Sequence, residues 1–504
     1  MLAAPTAPHC SGPAVTQQNS AAAAAPAPIG TPRRIIAWGL WDWASAAFGA
    51  VATSFVFSTW LSSSAFVDTA LVAAADAEAA SGLADGPAAA ALDAALAANS
   101  SLLGWGLGIA GVLVALLAPL FGMRADRLGH RKLWLAIHSS LVFISILGMF
   151  FVVPDQGALE ANLLLGVALL AAGTLFFEFA SVSYNAMLQQ ISTRENVGRI
   201  SAIGWSLGYF GGIVLLLVLL YGFIETDSWF AVPAEDGLDI RFAMLAAAVW
   251  FGIFSIPVLV AIPEPPQHHR GKYLAEERER VGIIQRLTWP IGAFFESYPK
   301  LWRDLQALRR DERPLLNFLV ASIVYRDGLN GVFVFGAVIG AVTFGLGSSE
   351  IIMFAVVANV VSGIITLLCG WIDDWVGPKA LIITSLVGMI IAAVALFLQR
   401  DAGASAFWIW GLVLSAFVGP AQSAGRSFIV RTAAPRRQAE IFGLYATTGR
   451  IGSFLSPLAF AGSIAIAGLL GAPGQYWGIL GILAVLVAGL VLMIPVKPVV
   501  RPLR

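Results

Sequence analysis

Long apolar stretches separated by short polar segments follow one another along most of this chain. Each stretch holds about 20 residues, the length that an α-helix needs to cross the hydrocarbon core of a bilayer. The pattern predicts twelve membrane-spanning helices, which we number spans 1 to 12, at residues 35–61, 101–123, 133–153, 162–186, 200–223, 242–262, 315–341, 350–371, 380–398, 406–428, 440–467 and 476–495.

The segments outside these spans differ in composition. Residues 1–30 are rich in Ala and Pro without an apolar period, so we predict a disordered cytoplasmic tail that is not a signal peptide. Residues 263–313 are highly charged with apolar residues at helical spacing, which predicts a cytoplasmic central loop with an interfacial amphipathic helix. A plain linker would serve equally well. This loop separates six-helix bundles predicted at 31–262 and 314–496, and residues 497–504 form a second cytoplasmic tail.

The composition supports a membrane protein. Hydrophobic residues make up 58% of the chain and charged residues 12%, whereas soluble domains hold about 25% charged residues. The two cysteines and five histidines show neither a disulfide framework nor metal-ligand spacing. We therefore expect no metal and no cofactor.

Lysine and arginine are concentrated in alternate loops, which all lie on one side of the predicted membrane. One side, which we call the basic side, carries Arg33, Arg34, residues 124–132, Arg194, Arg199, the central loop, Lys379, residues 431–437 and the C-terminal tail. The opposite side carries only Arg241 and Arg400, together with acidic segments. Because basic loops remain in the cytoplasm, we predict that both termini are cytoplasmic.

A short polar motif occurs twice, between spans 2 and 3 and between spans 8 and 9. The first copy consists of Gly122, Asp126, Arg127, Gly129, Arg131 and Lys132, and the second of Gly370, Asp374, Gly377 and Lys379. Corresponding residues are 248 positions apart, about half the chain, which indicates two related halves. Paired halves in a membrane protein suggest a transporter that rocks one half against the other.

The motif also has a physical interpretation. An Asp at a helix end can accept hydrogen bonds from the positive N-terminus of a neighbouring helix. The basic residues can anchor the cytoplasmic face and pair with carboxylates. Breaking and remaking such contacts would bias which way the protein opens, so all ten motif residues are candidate gating residues.

Charged residues within apolar spans are functional candidates, since placing one in lipid costs at least about 2.5–3.5 kcal/mol. The charged candidates for substrate binding or coupling are Asp42, Glu178, Arg326, Asp327, Arg426 and Arg450. The polar candidates beside them are Asn185, Tyr325, Asn330 and Gln422.

The two halves supply charges of different sign. The N-terminal half supplies carboxylates, and the C-terminal half supplies arginines plus Asp327. Such a cavity suits a zwitterion, with its carboxylate on Arg450 or Arg426 and its ammonium on Asp42 or Glu178. The same side chains could instead pair internally or form a gate, and Asp42 or Glu178 could relay protons. The residues alone leave these alternatives open.

The repeated motif resembles the loop signature of the major facilitator superfamily, Gly-x-x-x-Asp-Arg-x-Gly-x-Arg-Lys. The second copy departs from it, because Trp375 stands where Arg127 stands in the first. The resemblance implies an all-α polytopic fold of twelve helices in two pseudo-symmetric six-helix bundles. It also implies that spans 1, 4, 7 and 10 line a central cavity.

Further segments resemble one branch of that superfamily, the vacuolar effluxers, which includes autophagy-linked fungal effluxers of vacuolar amino acids and bacterial relatives. The matching segments are 41–44, 203–209, 325–330, 422–427, 442–445 and 449–450. Ser45 replaces the Asn that usually follows the first of them. The resemblance extends over nearly the whole chain beyond residue 30.

The resemblance implies a secondary active transporter that moves a small polar solute by alternating access. An amino acid is the expected solute and export the expected direction, with a sugar, phosphate ester or other organic anion as the alternative. The chain has no nucleotide-binding loop and no catalytic cluster, so we expect neither a pump nor an enzyme; a receptor or scaffold is a weaker alternative. We expect a monomer in the bacterial cytoplasmic membrane, with protons as a candidate coupling ion and no nucleic-acid partner.

Overall fold

The structure is a computed structural model. It describes residues 31–81, 86–128, 130–224, 228–263, 312–346, 348–434, 437–471 and 475–497, with scattered positions between 299 and 310. The predicted N-terminal tail, nearly all of the central loop with its amphipathic helix, and the C-terminal tail beyond Lys497 lie outside the described residues. Within the helices, nothing is described of the side chains of Arg124, Asp126, Arg127, Leu128 and Arg450.

The predicted spans are helical. Their bounds are Pro32–Ala46 with Ala47–Phe55 and Phe57–Leu61 for span 1, then Pro87–Leu128, Arg131–Met149, Leu159–Ile191, Val197–Leu219, Leu238–Ala261, Arg313–Phe344, Ser348–Val376, Pro378–Leu398 and Ala404–Thr432, Gln438–Gly452 with Leu455–Leu469 for span 11, and Gly478–Met493. Ten helices of the described chain are long and apolar enough to cross a membrane, and the last two apolar helices are shorter.

The segment between spans 1 and 2 contains helical residues that the hydropathy pattern did not predict. It holds a helix at Thr69–Ala80, and span 2 begins at Pro87 rather than near residue 101. Both stretches are rich in alanine, the residue with the highest helix propensity. Their acidic residues kept them out of an apolar pattern, but such residues do not prevent a helix from forming.

Span 11 is divided into two helices by a break at residues 453–454. Pro457 predicts a kink here, because its ring clashes with the carbonyl four residues earlier, that of Ser453, and it lacks an N–H. The second helix starts at Leu455, which places Pro457 in its first turn, where proline is tolerated.

Two pairs of helices make the most extensive contacts between the halves. Span 5 packs along span 8, and span 2 packs along span 11. Glycines permit the close approach: a Cβ atom on Gly370 would lie 2.6 Å from the Ala202 Cβ, and one on Gly122 would collide with the Ala439 carbonyl. Two glycines of the repeated motif therefore serve contact between the halves.

Candidate functional site

The Asp374 carboxylate, from the second copy of the motif, caps a helix of the opposite half. It accepts hydrogen bonds from the backbone N–H of Gly198 at 2.7 Å and of Arg199 at 3.2 Å, in the first turn of span 5. The side chains of Arg199 and Arg431 donate to it at 2.8 and 2.9 Å. This geometry is the one predicted for the motif aspartate, a carboxylate at the positive end of a neighbouring helix.

Its neighbour Asp373 is fully buried and was not among the candidates. It accepts hydrogen bonds from the Ser427 hydroxyl and from the Arg431 guanidinium, the latter at 3.0 Å. Arg431 therefore bridges two consecutive carboxylates, one facing its own half and one facing the other. The sequence signal for Arg431 was its place in a basic loop, which indicated orientation but not a partner.

Three of the remaining motif residues serve structure within their own half. Gly377 has a φ of +90° where span 9 begins, and the Lys379 ammonium donates to the Ile494 carbonyl at the end of span 12 at 2.7 Å. In the first copy, the buried Arg131 donates to the Ala186 carbonyl of span 4 at 3.1 Å. Lys132 also has an interaction partner, and Gly129 lies outside the described residues.

Two candidates from opposite halves form a buried ion pair. The Arg426 guanidinium donates through both terminal nitrogens, each at 3.0 Å, to one oxygen of Asp42. The side chains are 6% and 12% exposed, so each charge needs the other. Asp42 lies in span 1 and Arg426 in span 10, six residues before that helix ends. The pair therefore joins the halves near the basic side.

Aromatic rings surround this pair. The guanidinium carbon of Arg426 lies 4.7 Å from the Trp205 ring centre, 5.6 Å from that of Trp38 and 5.9 Å from that of Tyr184. These distances are within the range of cation–π attraction. Neither of the two tryptophans was a site candidate, although Trp205 lies in a segment that carries the family resemblance.

A second cluster of candidates lies between spans 7 and 11. The Arg326 guanidinium lies 4.0 Å from the centre of the Tyr445 ring and donates to the Tyr445 carbonyl. Its Nε is buried and has no hydrogen-bond partner among the described residues. The buried Tyr325 hydroxyl lies 3.5 Å from that of Tyr445. The structure thus brings Tyr325 and Arg326 together with Tyr445, which was not a site candidate.

The Asp327 carboxylate caps the second helix of span 11. It accepts a hydrogen bond from the Ser456 N–H in the first turn of that helix, while the Ser456 hydroxyl donates to the Asp327 carbonyl at 2.9 Å. The residue is 3% exposed. Its role in this structure is therefore to satisfy a helix end that the break exposes, rather than to neutralise a nearby arginine.

The other candidates are more dispersed. Glu178 is half-buried in span 4 and has interaction partners, Gln422 is buried and Asn330 is exposed. The side-chain oxygen of Asn185 is buried without a hydrogen-bond partner among the described residues. Among those residues, no cluster of three or more His, Cys, Asp or Glu side chains could hold a metal ion.

The contacts between the halves lie toward the basic side. Gly198, Ser201 and Ser206 all belong to the first ten residues of span 5. Gly198 binds Asp374, the Ser201 hydroxyl donates to the Ser423 carbonyl at 2.9 Å, and the Ser206 hydroxyl donates to the Gly363 carbonyl at 2.9 Å. This arrangement closes the basic side of the molecule.

Comparison with known proteins settles the family. The sequence profile described as Major Facilitator Superfamily matches residues 77–457, which is more than half of the chain. The chain belongs to the Major Facilitator Superfamily. Membership makes the protein a multi-pass membrane transporter rather than an enzyme, and it accounts for twelve spans in two bundles.

Relatives within the superfamily agree with the branch predicted from the sequence. The chain is 25% identical over 436 residues to "Uncharacterized MFS-type transporter YxiO" of Bacillus subtilis, covering 86% of this chain and 88% of that protein. It is 27% identical over 284 residues to "Autophagy-related protein 22-1" of Aspergillus fumigatus, covering 51% of this chain and 42% of that protein. The chain therefore spans less than half the length of this fungal relative.

Solved structures of superfamily members share the fold. The proton:xylose symporter XylE has a TM-score of 0.65 at 17% identity, covering 92% of this chain and 95% of that one. The transporter FucP in its outward conformation has a TM-score of 0.60 at 10% identity, covering 92% and 98%. At these identities the likeness shows a shared fold and nothing about the solute.

Substituting Asp327 tests its capping role in this transporter. We expect Asp327→Ala to destabilise the protein by about 1–2 kcal/mol, the usual effect of losing a helix cap. Asp327→Asn keeps an acceptor oxygen and should destabilise the protein much less. Thermal unfolding of the purified variants in detergent measures both. Equal destabilisation by the two substitutions would show that the negative charge itself, rather than the cap, is required.

Proposed function

We propose that this transporter is a secondary carrier of amino acids, which it exports across the bacterial cytoplasmic membrane as a monomer by alternating access. One observation carries the proposal: the N-terminal half contributes the carboxylate of Asp42 and the C-terminal half the guanidinium of Arg426, in direct contact. When the halves separate, Asp42 and Arg426 each lose an ionic partner. A zwitterion can replace both, because its ammonium can bind Asp42 and its carboxylate can bind Arg426.

Two further observations support this substrate class. Arg326 presents a second guanidinium in the C-terminal half, held by the Tyr445 ring and carbonyl, and its Nε has no hydrogen-bond partner among the described residues. Glu178 adds a half-buried carboxylate in the N-terminal half. The resemblance to the vacuolar effluxer branch gives the same class and favours export. Proton coupling through Asp42 or Glu178 belongs to the proposal.

Counterflow in proteoliposomes tests this function. Vesicles are loaded in turn with neutral amino acids, small sugars or phosphate esters, and uptake of the labelled solute is followed. We expect accumulation of a neutral amino acid and inhibition by other unlabelled amino acids. Accumulation of a sugar or phosphate ester without any amino-acid signal would overturn the proposed substrate class.

Two arginines that each lie over an aromatic ring, Arg326 and Arg400, provide a test variant and a control for this assay. Arg326→Gln should reduce amino-acid counterflow at least about tenfold, because it removes a charge-assisted bond to the substrate carboxylate worth at least about 1.4 kcal/mol. Arg400→Gln is the control, since Arg400 also lies over aromatic rings, 4.9 Å from the Tyr476 centre, but on the opposite side of the membrane. Equal counterflow by wild type and Arg326→Gln would assign Arg326 to packing.

A further inference from the structure

We propose that the Asp42 carboxylate and the rings of Trp38, Tyr184 and Trp205 form a binding site for the ammonium group of the transported solute. We call these four residues the cation cage. In the structure described here, Arg426 fills the cage with its own guanidinium. The inference rests on the proposed function, because it assigns one end of the proposed zwitterion to a site.

The cage is built for a cation. The two terminal nitrogens of Arg426 share one Asp42 oxygen at 3.0 Å, and three ring centres lie within 6 Å of the guanidinium carbon. A carboxylate beside aromatic faces attracts an alkylammonium as well as a guanidinium, since both are recognised by charge and by the ring quadrupole. Nothing in the cage demands the planar shape of arginine.

The four cage residues belong to the N-terminal half. The Trp38 indole N–H donates to the Tyr184 carbonyl at 3.2 Å, and the two rings stack with centres 4.6 Å apart. Trp41 also stacks on Tyr184, with ring centres 4.3 Å apart, and its indole N–H donates to the Ser139 hydroxyl at 3.1 Å. These contacts join the cage residues of spans 1 and 4 to each other and to span 3, so they persist whichever position the C-terminal half takes.

Span 5 completes the cage and leaves room for it. A Cβ atom on Gly204 would lie 2.6 Å from the Asp42 carboxylate and 2.6 Å from the Trp38 ring. Glycine there lets the carboxylate and the indole lie directly against the helix. Its neighbour Trp205 adds the ring nearest to the guanidinium, at 4.7 Å. The Trp205 indole N–H is buried without a hydrogen-bond partner among the described residues.

Arg426 is the one member of this cluster that comes from the C-terminal half. When the halves separate on the basic side, Arg426 leaves with span 10 and the cage stays behind. A carboxylate left among aromatic rings without a counter-charge is strongly unfavourable. A solute ammonium entering from the basic side removes that penalty, and the free Trp205 N–H offers a donor to the carboxylate of the same solute.

Exchange between Arg426 and the solute links binding to opening. A cation that occupies the cage competes with Arg426 and therefore stabilises the arrangement in which the basic side is open. When the solute departs, Arg426 returns and closes that side. The cage is thus occupied by a cation in both arrangements, and the solute supplies it in only one.

Binding of propylammonium to purified variants tests the cage without any transport step. Arg426→Gln removes the resident cation and keeps Asp42. We expect propylammonium chloride to raise its thermal unfolding midpoint at concentrations at least about tenfold lower than in wild type, compared with sodium chloride at equal ionic strength. Arg426→Lys, which supplies its own ammonium, should respond as wild type does, and adding Asp42→Asn to Arg426→Gln should abolish the response.

Two results would overturn the cage. One is an Arg426→Gln protein that propylammonium stabilises no better than sodium does, and the other is an undiminished response after Asp42→Asn is added. Because the probe is not an amino acid and nothing is transported, these results are independent of the counterflow assay. If no amino acid gives counterflow but propylammonium still stabilises Arg426→Gln, the solute would be a different organic cation.

A second measurement serves if Arg426→Gln does not fold. Ser201→Cys places a thiol at the buried contact with Ser423, in a background carrying Cys10→Ser and Cys369→Ser. Propylammonium should increase maleimide labelling of this thiol at least about threefold by displacing Arg426, and Trp205→Leu should remove the increase. Labelling that is unaffected by propylammonium would contradict the proposal.

Discussion

Replacing Arg426 by glutamine is expected to disfavour the closed basic side by about 3–5 kcal/mol, the effect of removing one partner of a buried ion pair. Asp42 is then left in a site where its side chain is 12% exposed, with no charge opposite it. At about tenfold per 1.4 kcal/mol, such a change is large enough to invert the population of two conformations. The Arg426→Gln protein should therefore be open on the basic side.

A double-mutant cycle separates the pair from its surroundings. Asp42→Asn alone should open the basic side as well, whereas the neutral combination Asp42→Asn with Arg426→Gln should be closer to wild type than either single variant. The readout is maleimide labelling of Ser201→Cys in the background without native cysteines. Arg400→Gln, outside the interface, is the control and should leave labelling unchanged. Additive effects of the two substitutions would show that the residues act independently.

Replacing Asp374 by alanine is expected to open the same side by a second route. The carboxylate accepts bonds from the first turn of span 5 and from the Arg199 and Arg431 side chains. Truncating one partner of a buried, hydrogen-bonded charge pair costs about 2–5 kcal/mol. Arg199 is 43% exposed and can be solvated, so Arg431 and the helix terminus account for most of the loss.

The same labelling assay measures the Asp374→Ala effect. Labelling of Ser201→Cys should rise at least about tenfold, because Ser201 lies one turn beyond Gly198 on span 5. Asp401→Ala is the matched control: Asp401 also faces an arginine, at 3.8 Å, but its side chain is 87% exposed. Unchanged labelling in Asp374→Ala would show that the capping contact does not hold the basic side closed.

Several features of the fold were predictable because they depend on local chemistry. A bilayer requires long apolar helices with internally satisfied backbones, so the twelve spans follow from hydropathy alone. Pro457 predicted the kink in span 11 for an equally local reason. The helices at residues 69–80 and 87–100 were not predicted, because their carboxylates interrupt the apolar pattern, although the helix propensity of alanine favoured them.

The candidate site was predictable only in part. Placing any charge in lipid is so unfavourable that the charged residues Asp42, Asp327 and Arg426 stand out within their apolar spans in the sequence. Their different roles depend on partners far away in the chain: Asp42 meets Arg426, and Asp327 meets the N–H of Ser456. The residue pattern within a short segment does not reveal such pairs.

The sequence by itself determined that this protein spans a membrane twelve times, that it consists of two related halves, and which charges its helices hold. It did so because hydropathy, repetition and the penalty for a charge in lipid are properties of short segments. Only the tertiary structure decided that Asp374 caps the helix of the other half, and that aromatic rings enclose the Asp42–Arg426 pair. Those contacts join residues up to 384 positions apart, and packing of the two halves alone brings them within hydrogen-bonding distance.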